Sequence, residues 1–149
     1  MGNMFSILEV SGAAMSAERQ RAEVVASNLA NANTTKTSEG GPYRRKEVVF
    51  SSTGSSPFQL AMQRATHLPG FPVAAIRVAQ VMTDPAPPLM RYEPGHPDAN
   101  AQGYVAYPAI NPIQEMVDLM GAVRAYQLNA SAVSASKQIF QQAIDILRS

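Results

Sequence analysis

From Met4 the apolar positions recur at alternating spacings of four and three: Met4, Leu8, Ser11, Met15, Glu18, Ala22, Val25 and Leu29. Phe5, Ile7, Ala14 and Ala26 widen that row. This is the period of an amphipathic helix, and Glu9, Arg19, Arg21 and Glu23 fall mostly off it. The row is imperfect, because Ser11 and Glu18 lie on it. Such a seam packs closely through small side chains and holds less apolar area than a leucine-rich coiled coil. Asn28, Asn31 and Asn33 crowd its end, a residue type that tolerates left-handed backbone and stops helices.

A second helix has a defined start. Asn111 can cap it, Pro112 suits the first helical position, and Gln114 stands three residues after the cap. Glu115 and Asp118 in the first turns, with Arg148 at the far end, follow the order that the helix dipole favours. Its row reads Met116, Met120, Val123, Gln127 and Ala130, slips to Val133, and continues through Lys137, Phe140, Ile144 and Leu147.

All 11 prolines lie between these rows, from Pro42 to Pro112. Four short strand-like stretches stand in that interval: Tyr43–Phe50 after the Gly40-Gly41 turn signal, Val73–Met82, Leu89–Tyr92 and Gly103–Tyr107. Glu93-Pro94-Gly95-His96 has the residue order of a type II turn. Ser51–Pro72 reads as a loop, with a short helix from Pro57 to Ala65 capped by Ser56. The expected fold is α+β. Long N- and C-terminal helices pair as an antiparallel coiled-coil-like module, and a small β-rich central unit is inserted between them. The expected domains are residues 1–34 with 111–149 for the helical assembly module, and 35–110 for the β-rich unit with its extended loop at 51–72.

Composition narrows the function classes. The net charge is +1, and no segment has the dense Lys/Arg face that a phosphate backbone demands, so nucleic acid is not an expected partner. With no cysteine there is no disulfide and no thiolate metal site. No Lys or Arg precedes Arg19 and the first apolar cluster is broken by Ser6, so a cleavable secretory signal is not expected. No stretch approaches the roughly 18 apolar residues of a membrane span.

Chemical motifs are equally scarce. His67 and His96 sit in Pro/Gly-rich loops with no second ligand at metal spacing, which reads as solvated loop histidine. His96-Pro97-Asp98 spells the tripeptide of J-domain cochaperones, but it stands between strand-like segments and reads as a chance match. Arg44-Arg45-Lys46 is the one basic cluster; strand alternation sends its members to opposite faces, so it reads as a solvated edge. Asn33-Thr34-Thr35 fits a glycosylation acceptor, a signal too short to weigh. No nucleophile–base pair, phosphate-cradling glycine loop or paired-carboxylate frame is present. The methionines Met4, Met15, Met116 and Met120 read as adaptable packing. Neither an active site nor a cofactor is expected.

Two Ala-, Ser- and Met-rich helices in one hairpin bury a single thin seam, against the conformational entropy of ordering both. The ends are therefore expected to be poorly ordered alone and fixed when neighbouring copies cover their remaining faces.

Several blocks carry a family resemblance: Ser27-Asn28-Leu29-Ala30-Asn31-Ala32-Asn33-Thr34; Gly41 to Phe50; Tyr92-Glu93-Pro94-Gly95-His96-Pro97 with Gly103-Tyr104-Val105; Glu115 to Met120; and Arg124 to Ala130. In that order they resemble the axial proteins of the bacterial flagellar basal body, and the Tyr-Glu-Pro-Gly and Gly-Tyr-Val pair narrows the resemblance to the proximal rod. Ser51–Pro72 departs from the pattern, being longer than the short turn expected there.

The resemblance implies a structural subunit whose terminal helices line the inner part of a hollow rod and transmit torque. It implies export without a cleaved signal through the flagellar type III apparatus to a periplasmic rod in the basal body. Partners would be copies of itself, other proximal and distal rod proteins, and the adaptor at the export gate and MS ring. Met4, Leu8, Met15, Ala22, Val25 and Leu29 would form the assembly interface with Met116, Met120, Val123, Ala130, Val133, Phe140, Ile144 and Leu147. Asn28, Asn31, Asn33 and Thr34 would be a hinge into the outer unit. A soluble coiled-coil adaptor is the alternative that would use the same rows.

Overall fold

A computed structural model describes residues 2–53 and 75–148. Helix α1 spans Gly2–Ala30 and helix α2 spans Pro112–Arg148; between them come strands β1 (Lys46–Thr53), β2 (Ala75–Thr83), β3 (Leu89–Tyr92) and β4 (Tyr104–Tyr107). The fold is α+β, with β1 paired to β2 and β3 paired to β4 in two separate sheets. β1 continues through Ser51 and Ser52 to Thr53, into the stretch read as loop. The rest of that loop, including the short helix expected at Pro57–Ala65, lies outside the described residues, as does His67.

The chain divides into two compact units. One comprises Gln20–Val49 and Gln80–Ala122; the other comprises Met1–Arg19, Phe50–Ala79 and Val123–Ser149. In the first, Asn28 reaches Glu115 and Arg21 faces Asp118, so the end of α1 and the start of α2 run antiparallel. Its buried apolar side chains are few: Val25, Ala32, Val105, Ile110 and Ala122. In the second unit the described part of α1 buries Ala17 and Ser11.

Local chemistry explains the boundaries. α1 stops where the Asn31 side chain donates back to the Ser27 carbonyl at 2.9 Å, the oxygen that its own backbone N–H also reaches at 3.1 Å. The chain then folds over on Gly40 and Gly41, both at positive φ (87° and 76°), closed by the Tyr43 N–H to the Thr34 carbonyl at 3.0 Å. α2 begins as its sequence indicates: Asn111 Oδ1 accepts the Ile113 N–H at 3.0 Å, with Pro112 at the first helical position.

The β3–β4 hairpin is antiparallel, with Leu89 opposite Tyr107 and Tyr92 opposite Tyr104. The turn at Glu93-Pro94-Gly95-His96 closes with the His96 N–H on the Glu93 carbonyl at 3.1 Å, but Gly95 is not at positive φ. It is therefore not the type II turn that the residue order suggests. A second bonded turn, Ala99 N–H to His96 carbonyl at 3.0 Å, follows directly. Pro94 and Pro97 each take the second position, which non-type II turns also accept. The residue that does need glycine is Gly103, at φ +81°, where a Cβ would come within 2.9 Å of the Tyr92 ring.

Candidate functional site

The most constrained group of side chains joins three segments of the first unit. Asn28, in the last turn of α1, has no solvent exposure. Its Nδ2 donates to the Lys46 carbonyl at 2.8 Å and to Glu115 Oε2 at 3.1 Å. Its Oδ1 accepts the Lys46 N–H at 2.9 Å and the Tyr43 hydroxyl at 3.1 Å. All four hydrogen-bonding positions of the amide are filled, so the side chain has one arrangement. Asn28 is thus clamped between α2 and the first residue of β1.

Glu115 is the second member. It is 1% exposed, and a buried carboxylate is costly unless it is paired and hydrogen-bonded. Arg45 Nε donates to its Oε1 at 2.6 Å, Asn28 serves the other oxygen, and its place in the first turn of α2 adds the positive end of the helix dipole. Arg45 also pairs with Glu47 and stands 4.0 Å from Asp118, which in turn faces Arg21 at 3.8 Å. Partial burial pulls the Arg45 pKa down, but the hydrogen bond and charge of Glu115, then those of Glu47, outweigh it and raise the pKa. The guanidinium stays charged and the knot is electrostatically closed.

Alternation along the chain separates Arg45 from its neighbours: Arg44 and Lys46 are exposed and Arg45 turns inward. The solvated-edge reading therefore describes Arg44 and Lys46 but not Arg45, because it offered no partner for the member that alternation turns inward. Glu115 was legible as a dipole partner and not as a buried ligand of Arg45. The signal available was its place at the head of a second row on α2.

The structure separates two rows on α2 that periodicity had merged. One row, Glu115, Leu119, Ala122, Asn129, Val133, Ser136 and Phe140, is buried or half-buried. It keeps a four–three stagger without the slip at Val133, with only Tyr126, at the intervening position, left exposed. The other row carries the larger apolar groups at the start of the helix. Ile113, Met116, Val117 and Met120 are 73%, 51%, 52% and 54% exposed.

The residues expected at assembly surfaces fall on both sides of this division. Val25 is buried, and Leu8, Met15, Ala22, Leu29, Ala130, Val133 and Phe140 are half-buried. Met116, Met120, Val123 and Ile144 are exposed. The side chains of Met4 and Leu147 lie outside the described ones. Of the hinge set, Asn28 is in the knot, Asn31 holds the helix end, Thr34 Oγ1 donates to Asn31 Oδ1 at 3.1 Å, and Asn33 is exposed. Among the described residues no helix is long and apolar enough to cross a membrane, and no group of three or more His, Asp or Glu could hold a metal ion.

Residues 8–36 match the family described as flagella basal body rod protein, and residues 101–146 match the one described as flagellar basal body rod FlgEFG protein C-terminal. Over nearly its whole length the chain is similar to flagellar basal-body rod protein FlgC. It is 38% identical to that of Bacillus subtilis, covering 95% of this chain and 97% of the relative. It is 37% identical to that of Yersinia enterocolitica and 34% identical to that of Borreliella burgdorferi, covering 97% of this chain and 98% of the relative in both cases. The chain belongs to the FlgC family of flagellar basal-body rod proteins. It is a structural subunit of the rod, located at the basal body. In this FlgC-family chain the knot bridges the two matched segments: Asn28 lies in the first, Glu115 in the second, and Arg45 comes from the insert between them.

Proposed function

We propose that this protein is a subunit of the proximal rod that works by packing its terminal helices against neighbouring subunits and passively transmitting torque. Residues 1–34 and 111–149 act as the assembly module, and 35–110 form the unit outside it. The neighbours are further copies of the chain, other proximal and distal rod proteins, and the adaptor at the export gate and MS ring. The chain reaches its periplasmic place through the flagellar type III apparatus, and it catalyses no reaction.

The observation that carries this reading is the outer row of α2. A helix that exposes Ile113, Met116, Val117 and Met120 together while burying a glutamate on its other side has its apolar face turned to a partner. The small number of buried apolar side chains in the first unit supports the same view: burial there is thin, and neighbours supply the rest.

Substitution tests the reading in a motile host that depends on this gene. Ile144→Asp, at a position 48% exposed, should change solution stability by no more than about 0.5 kcal/mol and yet abolish swimming by blocking rod assembly. His67→Ala combined with His96→Ala should leave swimming intact. Normal motility in the first variant refutes the packing assignment, and lost motility in the second revives a chemical role.

A further inference from the structure

We propose that the Asn28–Arg45–Glu115 knot is a register lock: it fixes how far α1 can slide along α2, and so where the outer apolar row is presented to a neighbour. The proposal rests on the assembly reading for its consequence, but its structural part stands on the geometry alone.

The rest of the shared seam is poor at fixing a register. Its described inward positions in the first unit are mainly Ala22, Val25, Leu119 and Ala122. Small side chains at regular spacing meet equivalent neighbours when one helix shifts by a turn, about 5.4 Å. Apolar contact is also non-directional. The knot behaves differently. A one-turn slip would carry Glu115 away from Arg45 Nε and Asn28 Nδ2, its partners at 2.6 Å and 3.1 Å, leaving a buried carboxylate unpaired. Asn28 would move with Tyr43 and Lys46 and keep them, but its buried Nδ2 would lose the Glu115 oxygen.

Replacing such a pair by apolar groups is often neutral or stabilising, whereas a buried polar residue can set register. The knot also reaches beyond the helices. Because Asn28 bonds both backbone groups of Lys46, β1 enters at one fixed point. The register of α1 on α2 and the seating of the first strand are a single setting.

The chain has no cysteine, so paired spin labels report register directly. Ala26→Cys and Val117→Cys place both labels on exposed positions of the same unit. Both labels lie in the unit that the knot holds, so the inter-label distance distribution of the otherwise unaltered chain should be single and narrow even where the far ends of the helices order only on assembly. In the Arg45→Leu/Glu115→Leu background the helices should persist by circular dichroism, while the distribution broadens or gains a second population shifted by about 5 Å. Asn28→Ala, which leaves the ion pair in place, should broaden it as well. If the double-leucine chain loses its helices, the Asn28→Ala measurement decides alone.

A narrow, unshifted distribution in a helical knot variant overturns the proposal, as does a broad one in the unaltered chain. Met120→Asp separates this from the assembly reading: it should keep the narrow distribution and lose motility. Retained motility in Met120→Asp counts against the assembly face and not against the register lock.

Discussion

The first three turns of α2 invert the usual arrangement of a surface helix. The inner side carries a carboxylate that is 1% exposed, while the outer side shows four large apolar residues that are all more than half exposed. Each side is explained by what lies beyond the helix. The carboxylate is inside because Arg45 and Asn28 meet it there with directional bonds. The apolar row is outside, and on the proposed function its counterpart belongs to another subunit. In a chain built to assemble, the interior fixes geometry with polar contacts and the exterior holds apolar area in reserve.

That contrast can be broken from either side. Glu115→Ala takes the buried carboxylate from Arg45, which keeps Glu47, and leaves the buried Asn28 Nδ2 one acceptor short; a buried polar group that loses its partner costs about 1–3 kcal/mol. Chemical denaturation of the isolated chain should show that loss concentrated where α1, β1 and α2 meet. Met120→Asp, on the opposite side of the same helix, should stay within about 0.5 kcal/mol of the parent while incorporation into basal bodies fails. If the two variants exchanged effects, the inversion would be misassigned.

The β3–β4 hairpin repeats the pattern on a smaller scale. On one face Val105 is fully buried, Arg91 lies 4.8 Å over the Tyr107 ring, and the Tyr107 hydroxyl donates to Glu93 Oε2 at 2.8 Å. On the other face Tyr92 and Tyr104 meet edge to face at 5.3 Å, both exposed. Tyr92 lies over Gly103, so Gly103→Ala combines a positive-φ penalty of about 1–2 kcal/mol with a contact at 2.9 Å from the Tyr92 ring. Adding Tyr92→Ala should relieve the contact and leave the backbone penalty, a partial rescue readable by thermal melting.

The smallest expected effect is a titration. The Glu93 hydrogen bond, then desolvation and the Glu93 charge, raise the Tyr107 pKa above its ordinary 10, with Arg91 opposing them. A raised phenol pKa means that folding favours the protonated form. This contribution is whole below pH 10 and disappears as the pH climbs through the raised value. Ultraviolet titration should show one tyrosine ionising late, and Glu93→Gln should bring it back toward the ordinary range.

Much of this architecture was legible in the sequence, for reasons that the structure makes explicit. The terminal helices follow from long proline-free stretches with a period near 3.6. The start of α2 follows from Asn111 and Pro112, and β3 from the run Leu89–Tyr92 between turn residues. What periodicity could not separate was which of two adjacent rows on α2 faces inward. It ranks positions by apolarity, so Met116 and Met120 outweighed Glu115 and Ala122, although the latter pair is the buried one. Arg45 was hidden for the same reason: charge alone marks a residue as solvated, and only its contact with Glu115, 70 positions away in sequence, makes it internal. The Gly95 turn was misjudged because Pro-Gly suits type II but does not compel it.

On the proposed function, the outer row of α2 is covered by a neighbouring subunit. A side-chain-resolution map of a basal body containing this chain tests it directly. In that map Ile113, Met116, Val117 and Met120 should be buried against an adjacent rod subunit, with Glu115 still bonded to Arg45 and Asn28. A map in which those four side chains face open solvent, in a rod that is otherwise complete, would contradict it.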